Sequence, residues 1–123
     1  MKINIKATNL KLSPDTTNYL RQKLAACDKL IDSRDESALA QVELGKATAH
    51  HRHGDIFRAE IKLRFAAGDC YAVATASDLH AAIDEMKDEI IRELKSRRQK
   101  KSSLLRRGGR LVKNMLRGFY PFK

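Results

Sequence analysis

Apolar and polar positions alternate at the start of this chain. In "KINIKAT" (2–8), Ile3, Ile5 and Ala7 share one side while Lys2, Asn4, Lys6 and Thr8 share the other, the pattern of a half-buried strand. From Ser13 the period lengthens. Within "SPDTTNYLRQKLAACDKLI", Leu20, Leu24, Cys27 and Ile31 recur at helical spacing. Ser13 is the expected N-cap, and Pro14 stands at the first helical position, where its missing N–H leaves no helical bond unmade. "SRDES" ends this helix. Alternation returns in "ALAQVELGKAT", with Ala40, Val42 and Leu44 inward and Gln41 and Glu43 outward. It is cleanest in "IFRAEIKLRFA", where Phe57, Ala59, Ile61, Leu63 and Phe65 oppose Arg58, Glu60, Lys62 and Arg64. "AHHRHGD" between the two reads as a hairpin connection. After a short turn at "AGD", "CYAVATA" predicts a fourth strand. Ser77 or Asp78 then caps a second helix with the stripe Leu79, Ile83, Met86, Ile90 and Leu94.

The expected fold is α+β. The order β-α-β-β-β-α predicts a two-layer sandwich, a four-stranded sheet with two helices packed on one face. Residues 1–101 form this domain and 102–123 a tail. The tail, "SSLLRRGGRLVKNMLRGFYPFK", interleaves apolar and basic residues. Its Leu111/Met115 and Val112/Leu116 pairs predict a short amphipathic helix after Gly108-Gly109.

Charge sharpens the picture, because it is unevenly placed. Among 123 residues with a net charge of +10, residues 1–91 hold 13 Lys+Arg against 14 Asp+Glu, and residues 92–123 hold 12 against Glu93 alone. Such segregation points to a polyanionic partner. The candidate contacts fall on three surfaces. The second helix runs on as "RELKSRRQKK", bringing Arg92, Lys95, Arg97, Arg98, Lys100 and Lys101. The positions that would prolong the apolar stripe are themselves basic, so the helix is expected to pass the sheet edge from about Lys95. One or two cations would satisfy the helix dipole; this run holds six. The sheet face away from the helices carries Lys2, Lys6, Arg58, Lys62 and Arg64 against Glu43 and Glu60. Joined to the helix end and to Arg52 in the hairpin, these cations would form one positive groove for RNA. Tail contacts would come from Arg106, Arg107, Arg110, Lys113 and Arg117. A double-stranded-RNA-binding domain shares the α-β-β-β-α order, but the acidic "SDLHAAIDEMKDE" does not suit docking by the start of that helix.

Other chemistries find little to build on. There is no G-x-S-x-G, no P-loop, no H-E-x-x-H and no Gly-rich dinucleotide turn, so no enzyme is expected. His50, His51 and His53 lack a fixed third and fourth ligand, so neither metal nor cofactor is expected. Cys27 and Cys70 read as reduced core residues, and with no apolar run of membrane length the protein is expected in the cytoplasm.

The runs "TAHHRHGDIFRAEIKLRF" (48–65) and "DLHAAIDEMKDEIIRELKSRRQKK" (78–101), with the start "MKINIKATNLKLSPDTTNYLRQKL", resemble the ribosome hibernation-promoting factor and ribosome-associated inhibitor family. The resemblance covers residues 1–101, and its most specific pieces are F-x-A-E-I-x-L and D-x-x-A-A-I-D. It implies a translation inhibitor made in the stress response. Such a protein binds ribosomal RNA of the small ribosomal subunit, in the channel for messenger and transfer RNA, and takes no small-molecule substrate. It implies RNA contacts at Arg92, Lys95, Arg98 and Lys101 on the helix and Lys62 and Arg64 on the strand, in a protein monomeric off the ribosome. His80 stands where the family often has Tyr, and the basic tail is unlike the acidic or absent tails of short members. Two other readings stay open: a constitutive RNA-binding ribosomal protein, and a peripheral membrane protein using its basic amphipathic tail.

Overall fold

Residues 1–31, 34–48, 54–66 and 68–106 are described by the computed structural model, 48 and 99–106 for their backbone only. The elements are β1 (Lys2–Thr8), α1 (Pro14–Asp28), β2 (Leu39–Thr48), β3 (Asp55–Phe65), β4 (Gly68–Ala76) and α2 (Leu79–Arg106), in the expected order. The sheet runs β1-β2-β3-β4. β1 pairs parallel with β2, and the two hairpin-joined pairs are antiparallel. A parallel neighbour requires a crossover, and α1 supplies it.

The alternating strands place small residues inward: Ala40, Ala59, Cys70, Ala72 and Ala74 are buried beside Val42, Leu44, Ile61 and Leu63. The helices answer with larger ones, Leu20 and Leu24 from α1 and Ile83, Met86, Ile90 and Leu94 from α2. Large residues from the helices thus meet smaller ones from the sheet, the kind of interdigitation that dense core packing requires. Because side chains alternate with a period of two, a one-residue slip in any strand would turn this set to solvent.

The expected caps form, with one choice now made. The Ser13 hydroxyl accepts the Thr16 N–H at 3.1 Å, with Pro14 in the first turn. At α2, Asp78 rather than Ser77 is the cap, its carboxylate accepting the Ala81 N–H at 3.1 Å.

Two expectations are corrected. α1 ends at Asp28, and the Leu30 N–H turns back to the Cys27 carbonyl at 3.0 Å, so Ile31 packs on the core from the turn rather than from the helix. Ala7, expected inward, is exposed. β1 is an edge strand and even its Ile3 and Ile5 are only partly buried. α2 continues through Arg106, with no Gly or Pro to interrupt it. From Leu94 to Arg106 that is about 18 Å of helix at about 1.5 Å per residue. Among the described residues no helix is long and apolar enough to cross a membrane.

Candidate functional site

The sheet face opposite the helices is ordered into four cross-strand rows. Lys2, Leu39, Arg64 and Asp69 form the first, and Asn4, Gln41, Lys62 and Tyr71 the second. Lys6, Glu43, Glu60 and Val73 make the third; Thr8, Gly45, Arg58 and Thr75 the fourth. Charge is not spread evenly over them. Glu43 and Glu60 are register partners, and like charges opposite one another repel. Cations on either side relieve this: Lys6 lies 3.7 Å from Glu43, and Arg58 lies 2.6 Å from Glu60 and 4.0 Å from Glu43. The Glu60 hydrogen bond is the main reason the Arg58 guanidinium holds its proton more tightly than usual, with a smaller contribution from nearby Tyr71. Arg64 meets Asp69 at 3.9 Å. Lys2 and Lys62 take part in no ion pair among the described residues.

The cations therefore separate into two groups. Lys6 and Arg58 hold the Glu43–Glu60 pair in the far half of the face. Lys2, Lys62 and Arg64 lie toward the end where β4 begins. α2 runs antiparallel to β4 and brings its basic segment to that same end. Arg92, Lys95 and Arg98 are exposed there. Arg97 behaves differently: its guanidinium donates to the Asp69 carbonyl at the first residues of β4 and lies 3.9 Å from Glu93. The helix was expected to have left the sheet from about Lys95, but at Arg97 it is still fastened to the sheet edge. Gly68 makes the contact possible. Its φ of +142° suits glycine, and a Cβ there would lie 2.7 Å from Arg97 Nη1. The turn is fastened again on its other side, where Asp35 accepts the Ala66 N–H at 2.7 Å.

The orientation of α2 is also fixed from α1. Tyr19 and His80 stack with centroids 4.2 Å apart and planes 8° from parallel. The Tyr19 hydroxyl donates to Asp84 at 2.5 Å, and Lys23 reaches the same carboxylate at 3.4 Å. Asp84 raises the pKa of both partners, through its hydrogen bond to Tyr19 and its charge near Lys23. His80 thus fills its position by stacking. Neither Tyr19 nor Asp35 carries a sequence motif, and their partners lie 65 and 31 residues away in the chain.

Both cysteines are buried and free. Burial pushes the Cys27 thiol up to about 12 and the Cys70 thiol up to about 11. Among the described residues no group of three or more His, Cys, Asp or Glu is placed to hold a metal ion. Arg52, with His50, His51 and His53, lies outside the described residues, as do Arg107, Arg110, Lys113 and Arg117. Lys100, Lys101 and Arg106 are described as helix backbone only. The strands that the Arg52 connection joins end where Thr48 pairs with Asp55, at the opposite end of β3 from Arg64. The arrangement offers a preorganised cationic end.

The family described as "Sigma 54 modulation protein / S30EA ribosomal protein" matches residues 3–102. A "Ribosome hibernation promoting factor" of Pseudomonas putida is 26% identical over 106 residues, covering 85% of this chain and 94% of that protein. The crystal structure of the Thermus thermophilus Protein Y N-terminal domain is similar at a TM-score of 0.65 and 28% identity, over 78% of this chain and 98% of that one. A ribosomal subunit interface protein from Coxiella burnetii shares the fold at a TM-score of 0.64 and 12% identity, over 80% and 99% of the two chains.

Proposed function

The chain belongs to the family of Sigma 54 modulation proteins and S30EA ribosomal proteins, and on that premise we propose that it is a ribosome hibernation factor. In this reading it is a cytoplasmic inhibitor of translation that binds small-subunit ribosomal RNA in the channel used by messenger and transfer RNA. The observation that carries the reading is the cationic end: Arg92, Lys95 and Arg98 stand exposed around the end of the buried stripe at Leu94, at the end of the sheet that bears Lys2, Lys62 and Arg64.

Inhibition by such a protein needs no reaction. A rigid domain held against RNA phosphates excludes other RNAs from the same space for as long as it stays bound. Its cations are set in place before binding, because Arg97 and the Tyr19–His80 stack fix α2 on the domain. Preorganisation of this kind reduces the ordering cost of association. Binding through phosphates also makes affinity fall steeply with salt, as condensed counterions are released.

Sedimentation of cell extracts from growing and starved cells tests the proposal. Enrichment on idle ribosomes in starvation, with small subunits as the binding partner, is the expected result. Equal stoichiometry on ribosomes in both states would assign a constitutive ribosomal protein instead. Recovery with membranes would overturn the proposal altogether.

A further inference from the structure

Tyr71 is the exposed large hydrophobic residue among those described, 46% accessible. It sits on the open face, opposite Lys62, in the row that draws Asn4 from β1, Gln41 from β2 and Lys62 from β3. At about 4.8 Å between strands, the row spans roughly 14 Å. Beside it lies a shallow depression lined by Asn4, Lys6, Gln41, Glu43, Glu60 and Lys62. The carboxylates of this face all have cation partners, Glu43 and Glu60 with Lys6 and Arg58, and Asp69 with Arg64. Lys62, beside the ring, is left with none among the described residues. The face therefore presents an aromatic ring, an ammonium group and two amides, one from each strand, next to the cationic end.

We propose that this row is a stacking site for single-stranded RNA, with a nucleobase on the Tyr71 ring, a phosphate at Lys62 and the Asn4 and Gln41 amides at base edges. The proposal rests on the ribosomal-RNA reading and names the kind of RNA segment this face takes. Only an unstacked base can offer its face to a ring on an open sheet; in a duplex both faces of each base are already covered. Amides supply donor and acceptor together, which suits base edges, while an ammonium suits a phosphate. A protein partner fits less well. The exposed aromatic has Lys62 on the next strand and the Gln41 and Asn4 amides farther along the row, rather than the ring of well-packed contacts that surrounds an interface hot spot.

The test compares wild type, Tyr71→Ala and Tyr71→Phe in binding to a labelled single-stranded oligouridine, to a matched RNA duplex and to purified small subunits. Tyr71→Ala should weaken binding to the single strand roughly five- to a hundredfold, the range for loss of one stacked base. Tyr71→Phe should retain wild-type affinity, and duplex binding should not change. Since the side chain is exposed, circular dichroism of both variants should match wild type. Equal affinity of wild type and Tyr71→Ala for the single strand would overturn the stacking site, as would failure of wild type to bind it. A loss seen on subunits but not on free RNA would also overturn it, by assigning the ring to a ribosomal protein. Cosedimentation of wild type with subunits decides the hibernation reading separately.

Discussion

The two halves of α2 follow different physical rules within one unbroken helix. From Leu79 to Leu94 its apolar residues lie against the sheet, and Ala82, Ile83, Met86 and Ile90 are fully buried. Its acidic residues face other parts of the protein or solvent: Asp84 meets Tyr19 and Lys23 from α1, and Asp88 pairs with Lys87 at 2.8 Å. From Lys95 to Arg106 the helix keeps its backbone geometry but changes its sequence logic: among its described side chains, Lys95 and Arg98 are exposed and Arg97 turns back to the sheet. The first half is explained by what it touches inside the molecule. In the second, Lys95 and Arg98 take part in no ion pair among the described residues, and the proposed function assigns them to an anion outside the molecule. A difference of this kind separates residues that make the fold from residues that use it.

The strongest way to break the comparison is to damage the first half. Met86→Ala removes a large, fully buried side chain from the layer between α2 and the sheet and leaves a cavity there. Its expected cost is about 2–5 kcal/mol of stability, read by urea denaturation. Lys95→Ala, one helix half away, should change the midpoint by less than about 0.5 kcal/mol. Equal losses for the two would mean that the second half is also part of the core.

Damage to the second half should show in binding instead. Replacing Arg92, Lys95, Arg98 and Lys101 together by Gln should weaken small-subunit binding by about a hundredfold at moderate salt. It should lower the slope of log affinity against log salt by roughly 3, as expected for four lost phosphate contacts. Circular dichroism should be unchanged. Wild-type affinity in this variant would remove the helix from the interface and leave the open sheet face to carry it.

Much of the first half was legible in the sequence, because burial imposes a period and a period can be read from one chain. The alternation of β3 and the stripe of α2 are both of this kind. Contacts that depend on which distant segments meet were not legible. Arg97 and Arg98 look alike in "KSRRQ", yet one reaches the Asp69 carbonyl and the other is exposed. What separates them is the position of the β3–β4 turn and the missing Cβ of Gly68, a tertiary fact. The pairing of Lys6 and Arg58 with Glu43 and Glu60 was likewise hidden until the register was known. Net charge alone would have counted both cations as ready for RNA. The halting of α1 at Asp28 was missed because Ile31 keeps the helical spacing while packing from a turn.

Arg97 sits on the boundary between the halves, so its loss should have a small effect with a local signature. Arg97→Ala removes a charged hydrogen bond to the Asp69 carbonyl from a side chain that is 39% exposed, and solvent replaces part of what is lost. A destabilisation of about 1 kcal/mol is expected. Cys70, the neighbour of Asp69, reports whether the loss is local. Burial is the main reason its thiol is raised from the ordinary 9.0 to about 11, which suppresses the reactive thiolate. The Arg97 charge itself lowers that pKa, so its loss removes a pull toward thiolate. Loosening the end of α2 should instead show as greater exposure of Cys70, read as faster alkylation above about pH 11, where the thiol is ionised in both proteins. Cys27, raised to about 12 and buried on the inner side of α1, should label at the wild-type rate. The sign of the pH dependence follows from the raised values. A thiol kept protonated in the folded state contributes stability that is complete below about pH 9 and is lost as pH climbs toward about 11 for Cys70. Faster labelling of both cysteines alike would instead indicate global opening, and would place Arg97 with the core rather than at the seam.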